Sequence, residues 1–85
     1  MALSIEIVSP TKILYSGEAT EVVAPSVKGE VGLLPMHADY MTLLAQGNIE
    51  IKNGTQTKTF SITGGVAKIE KDKLLVLVEE TSGIQ

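Results

Sequence analysis

Apolar residues occupy every second position at the start of the chain, where Leu3, Ile5 and Ile7 alternate with Ser4 and Glu6. A period of two belongs to a strand with one buried face. Ser9-Pro10-Thr11 ends it, because proline cannot donate to a strand ladder. A second extended stretch runs from Ile13 to Ala24, with Gly17 as a bulge or bend and Pro25 as its end. A third runs from Val27 to Leu34 and is closed by Pro35. The segment from Asp39 to Ala45 fits a helical turn or a short strand by periodicity, and we read it as a strand. Short strands at intervals of about ten residues, with turn residues between them, indicate an antiparallel sandwich or barrel rather than a βαβ fold.

Two hairpins are predicted in the second half. Asn53-Gly54 is a pair favoured in two-residue type I′ turns, since both positions tolerate positive φ. Placing Lys52 opposite Thr55 sets Ile51 against Gln56 and Ile49 against Lys58, and the parity carries Ile49, Ile51, Phe60 and Ile62 to one face. The other face is then Glu50, Lys52, Thr55, Thr57, Thr59 and Ser61, wholly polar. The later hairpin spans Val66 to Val78 with Lys71-Asp72 as its turn. Pairing Glu70 with Lys73 gathers Ala67, Ile69, Leu74, Val76 and Val78 on one face and Val66, Leu75 and Leu77 on the other. With apolar groups on both faces, the second face is covered either by another layer and loops or by a partner.

Composition supports the pattern and removes several functions. Val, Ile and Thr supply eight residues each, a β-branched loading that suits a pleated surface. At 85 residues the chain is read as one domain spanning residues 1–85, with no room for a second lobe. The absence of cysteine excludes disulfides, thiolate metal sites and a cysteine nucleophile. All seven basic residues are lysine and the net charge is −3, so the bidentate phosphate readers that favour nucleic-acid binding are missing. No targeting segment is visible, and the apolar run Leu74 to Val78 is far shorter than the roughly 20 residues of a membrane-spanning helix. Membrane association is therefore expected only through a partner.

No catalytic constellation appears. His37 is the sole imidazole, so a multi-histidine metal site is impossible, and Asp39 two residues on does not give the crossed geometry of a triad. Gly29-Glu30-Val31-Gly32 and Gly64-Gly65 complete neither phosphate-binding glycine motif, and a bend or close backbone approach explains them. The residues thus describe a β-rich binding or structural module that needs no metal or cofactor.

The string Gly29-Glu30-Val31-Gly32-Leu33-Leu34-Pro35-Met36-His37-Ala38 resembles the G-E-x-G-[IL]-[LY]-P-x-H-A-P motif of the ε subunit of rotary F-type ATP synthases. Four further stretches resemble that family in order and spacing: Ile7 to Pro10 with Tyr15 to Glu18, Leu43 to Ile51, Phe60 to Ala67, and Leu74 to Glu79. Asp39 stands where the family has proline, and Met36 where glycine is common.

The resemblance implies an all-β, flattened antiparallel β-sandwich of about ten short strands. It also implies a non-catalytic place in the central stalk, bound to the γ subunit and the ring of c subunits, on the cytoplasmic face of a bacterial inner membrane or the stromal face of a thylakoid. By the same resemblance, Gly29 and Glu30 face the c-ring, and His37, Ala38 and Met41 face γ. The family's usual chain continues into two helices that can brake ATP hydrolysis, whereas this one ends at Gln85, as either a naturally short form or a truncated one. A free-standing β-sandwich adaptor or ligand-binding domain is the alternative.

Overall fold

A computed structural model of the chain describes residues 2–35, 39–79 and 83–84. Among these there are ten strands and no helix: β1 Leu3–Val8, β2 Ile13–Ala19, β3 Glu21–Ser26, β4 Gly29–Leu33, β5 Tyr40–Leu44, β6 Gly47–Asn53, β7 Gln56–Ile62, β8 Gly65–Glu70, β9 Lys73–Val78 and β10 Gly83–Ile84. They form one hydrogen-bonded path in the order β10-β7-β6-β3-β5-β8-β9-β1-β2, with β4 attached to β3. The path curls on itself. Tyr15 of β2, at one end, meets Phe60 of β7, near the other, edge to face with centroids 5.6 Å apart. That contact turns a long sheet into two layers around one apolar cluster.

The cluster follows the two-residue period. Leu3, Ile5 and Ile7 of β1 lie inside, with Ile49, Ile51, Phe60 and Ile62 from the β6–β7 hairpin and Ala67, Ile69, Leu74, Val76 and Val78 from β8–β9. The β8–β9 hairpin has the expected register, Glu70 opposite Lys73, and its turn holds Lys71 and Asp72 at φ 51° and 61°. Two successive positive φ values are those of a type I′ turn, which matches the right-handed twist of the strands.

The β6–β7 hairpin keeps the predicted faces with a different register. Asn53 lies opposite Gln56 and Ile49 opposite Phe60, so the loop is Gly54-Thr55 and every pair is shifted by two residues. Only Gly54 in that loop has positive φ, 65°, which is the arrangement that places glycine first in a type II′ turn. A two-residue shift preserves parity, which is why the inward set is unchanged.

The stretch expected from Ile13 to Ala24 is two strands. The break falls at Thr20, whose amide and hydroxyl both donate to the Lys52 carbonyl, at 2.7 and 3.0 Å. With its amide committed to β6, Thr20 leaves the β1–β2 ladder and carries the chain from one layer to the other. Pro25, expected to end a strand, lies within β3. β6 pairs with β3 through Val23, and β5 joins only at Ser26, so the missing proline donor falls in the gap between two neighbours. The third strand starts at Gly29 rather than Val27 because Val27 and Lys28 form the turn: the Lys28 amide donates to Ser26 Oγ, and that hydroxyl donates to the Gly29 carbonyl at 2.6 Å. One pairing departs from the antiparallel expectation, since β1 runs parallel to β9.

Gly64-Gly65 is a close backbone approach. A Cβ on Gly65 would overlap the Leu77 carbonyl oxygen of the neighbouring strand, and its φ of 152° also favours glycine.

Candidate partner-binding surfaces

The outward faces of five consecutive strands, β5-β8-β9-β1-β2, form an apolar surface. Register fixes its rows. Leu43 lies opposite Val66, Val66 opposite Leu77, Leu77 beside Val8, and Val8 opposite Ile13. Ile13 reaches this row because the β1–β2 register slips between Ile7 and Val8, which sets Ile13 outside while Tyr15 stays inside. Val27 extends the row, its amide donating to the Leu43 carbonyl at 3.0 Å. The next row is mixed: Met41, Lys68, Leu75, Glu6 and Ser16.

Exposure marks this face as unusual. Ile13 is 61% exposed, Leu43 59%, Met41 67% and Leu77 46%, with Val27 and Leu75 also open to solvent. Scattered surface hydrophobics are ordinary, but five on one sheet face, with Val27 in a turn hydrogen-bonded to its edge, are what an interaction surface presents. By contrast, the outward face of β6–β7 is polar, with Ser61 Oγ donating to Asn48 Oδ1 at 3.0 Å and Lys52 Nζ 3.9 Å from Glu21 Oε1. The second apolar face anticipated at Val66, Leu75 and Leu77 is therefore an open surface and has no further layer of this chain over it among the described residues.

The site residues suggested by resemblance fall on different elements. Gly29 and Glu30 begin β4, exposed, beside the Val27-Lys28 turn, and Gly29 has φ 116° with open space where a side chain would stand. Met41 is on β5, beside Lys68 of β8. β4 and β5 are joined only through β3, so Glu30 and Met41 do not share one site. His37 and Ala38 lie outside the described residues.

Asp39, the departure from the family's proline, accepts a hydrogen bond from the Lys71 amide at 3.4 Å. It ties the start of β5 to the β8–β9 turn and so helps set Met41 against Lys68. A shallow hollow of about 330 Å³ lies here, lined by Asp39, Tyr40, Met41, Lys68, Ile69 and Glu70. It is open to solvent and offers no convergent set of polar groups, unlike a small-molecule site. Among the described residues no group of three or more His, Asp or Glu side chains is placed to hold a metal ion.

Comparison with known proteins agrees with this shape. Residues 2–83 match the family model described as ATP synthase, Delta/Epsilon chain, beta-sandwich domain. The chain is 40% identical over 78 residues to the ATP synthase epsilon chain of Prochlorococcus marinus strain AS9601, covering 92% of this chain and 58% of that one. It is also 40% identical over 77 residues to the ATP synthase epsilon chain of Caulobacter vibrioides, covering 91% of this chain and 90% of the relative. It thus spans a little over half of the first relative and most of the second. A chain in the cryo-EM structure of the Euglena gracilis mitochondrial ATP synthase OSCP/F1/c-ring superposes with a TM-score of 0.90 at 16% identity, over 98% of this chain and 53% of that one. A chain in the Tetrahymena thermophila mitochondrial ATP synthase central stalk and c-ring gives 0.77 at 15%, over 94% and 65%. At those identities the superpositions establish the shared fold.

Proposed function

Since the chain belongs to the ATP synthase Delta/Epsilon chain β-sandwich family, we propose that it is a non-catalytic central-stalk subunit of an F1Fo ATP synthase. In this reading it links the γ subunit to the c-ring and couples ion translocation to ATP synthesis or hydrolysis. It works as part of a membrane-bound complex, on the cytoplasmic side of a bacterial inner membrane, and touches the membrane only through the Fo sector.

The observation that carries the proposal is the exposed apolar face of β5-β8-β9-β1-β2, on a fold whose described residues gather no metal-binding cluster. A rotor element transmits torque through surfaces, and such surfaces bury apolar residues within a polar rim. The γ contact is assigned to His37, Ala38 and Met41, and the c-ring contact to Gly29 and Glu30. Met41 supports the first assignment because it is the most exposed large hydrophobic residue among the described residues and continues the apolar face.

Reconstitution of a complete synthase tests this. Met41→Asp together with His37→Trp is expected to loosen retention of the subunit on γ. Glu30→Lys is expected to lower ATP-driven ion pumping relative to ATP turnover. Met41→Asp and Glu30→Lys, each made alone, leave the thermal melt of the free chain in place, because both side chains are exposed. Normal retention in the double variant together with normal pumping in Glu30→Lys would refute the interface assignment.

A further inference from the structure

The pattern on the outer face has a symmetry of its own. β9 is the middle strand of β5-β8-β9-β1-β2, and the residues on either side of it correspond. In the apolar row, Leu77 is flanked by Val66 and Val8, then by Leu43 and Ile13. In the mixed row, Leu75 is flanked by Lys68 on β8 and Glu6 on β1. Branched aliphatic residues thus stand at matching distances from β9, and the two charges at matching distances have opposite sign.

We infer that this face closes on a second copy of the same chain when no other subunit covers it, forming a two-fold dimer about an axis lying along β9. Turning one copy over about that axis places β8 on the partner's β1 and β5 on the partner's β2. Leu77 then meets Leu77, Leu75 meets Leu75, Val66 meets Val8 and Leu43 meets Ile13. Lys68 of each copy comes opposite Glu6 of the other, twice. A self-complementary patch of this kind is what an isologous interface requires. Aligned sheets pack about 10 Å apart, a separation that lysine and glutamate side chains can span from opposite faces.

The charges favour this occupant. Lys68 has Glu70 of its own strand at 3.9 Å, with both side chains more than half exposed, a pairing that contributes little and leaves the ammonium available. Glu6 makes no ion pair among the described residues. Lys73 is the one position that meets its own copy with like charge, and it sits at the solvent end of the sheet, opposite Glu70 in its own chain. Because adjacent strands twist by roughly 20 to 25°, the contact centres on β8, β9 and β1 while β5 and β2 splay away. The two Lys68–Glu6 pairs therefore lie near the middle of the interface.

This goes beyond the rotor reading, and its test is independent of it. Sedimentation equilibrium of the whole chain, from about 5 to 500 µM, is expected to show a reversible monomer–dimer equilibrium. Leu77→Lys abolishes it while leaving the melt of the dilute monomer unchanged, since Leu77 is on the open face. Lys68→Glu and Glu6→Lys each weaken association at least about ten-fold through like-charge opposition, and the double exchange restores it to within about three-fold. A chain that stays monomeric throughout, or a dimer whose double exchange fails to recover, overturns the proposal. A dimer indifferent to Leu77→Lys also overturns it, because another face would then be responsible. None of these results bears on retention in the assembled synthase.

Discussion

Closure of the curled sheet can be tested at Phe60. This residue is 1% exposed, and its ring packs edge to face on Tyr15 at an interplanar angle of 88°. Phe60→Ala removes about 3 to 5 kcal/mol of packing and, with the aromatic pair, about 0.5 to 1.5 kcal/mol more. A chain of this size has a stability of roughly 4 to 13 kcal/mol, so at the lower end of that range the substitution unfolds a large part of the population and gives no clean number. Phe60→Leu is the better perturbation: it keeps most of the apolar volume, loses the ring, and costs about 1 to 2 kcal/mol.

Tyr15→Leu tests the other partner, with Lys58→Met as a control because Lys58 Nζ stands 5.7 Å from the Tyr15 ring centroid. Urea unfolding of wild type, both single variants and the double variant gives the cycle. The expected coupling between Tyr15 and Phe60 is about 1 kcal/mol, read as midpoint shifts at constant slope. Additive losses, with coupling below about 0.3 kcal/mol, would mean that the two ends of the sheet do not lean on each other.

Gly65→Ala is expected to cost more than about 3 kcal/mol, because its methyl meets the Leu77 carbonyl on a neighbouring strand, while Gly54→Ala in an open turn costs about 1 kcal/mol; chemical denaturation of the two variants checks the order. Ile49→Asp unfolds the chain by burying an unpaired carboxylate, whereas Thr57→Lys on the polar face of the same hairpin changes the melt by no more than about 1 kcal/mol. Titration calorimetry with Mg-ATP is expected to show no saturable heat at micromolar nucleotide, and saturable binding would contradict the proposed role as a site-free coupling element.

The β8–β9 hairpin was legible residue by residue because local alternation and a two-residue turn agree on one register. The β6–β7 hairpin was legible only in its faces: glycine at 54 can occupy either central position of a two-residue turn, and the sequence does not say which, but moving the loop by one residue shifts each pair by two and leaves parity intact. The break at Thr20 had no local signal at all. It is made by hydrogen bonds to Lys52, 32 residues away, whereas Gly17 lies within β2 and pairs regularly with Ile5. The same contrast holds for the surface. Val66, Leu75 and Leu77 could be seen to share a face, while Ile13 joined them only through a register slip that no alternation of apolar and polar residues encodes.

The parallel pairing of β1 with β9 sets the order in which the chain can mature. Ser4 aligns with Lys73 and Val8 with Leu77, so the first strand finds its central neighbour only among residues made long after it. During synthesis the β1–β2 hairpin can form early, but Leu3, Ile5 and Ile7 then present their apolar sides to water until β9 arrives. Contacts of such long sequence separation are slow to form, and exposed apolar strands are prone to wrong partners in the interval. The waiting time, more than any single contact in the finished sandwich, is where this chain is most open to aggregation. A substitution that slows the β8–β9 hairpin would lower its yield without changing the stability of the molecules that fold.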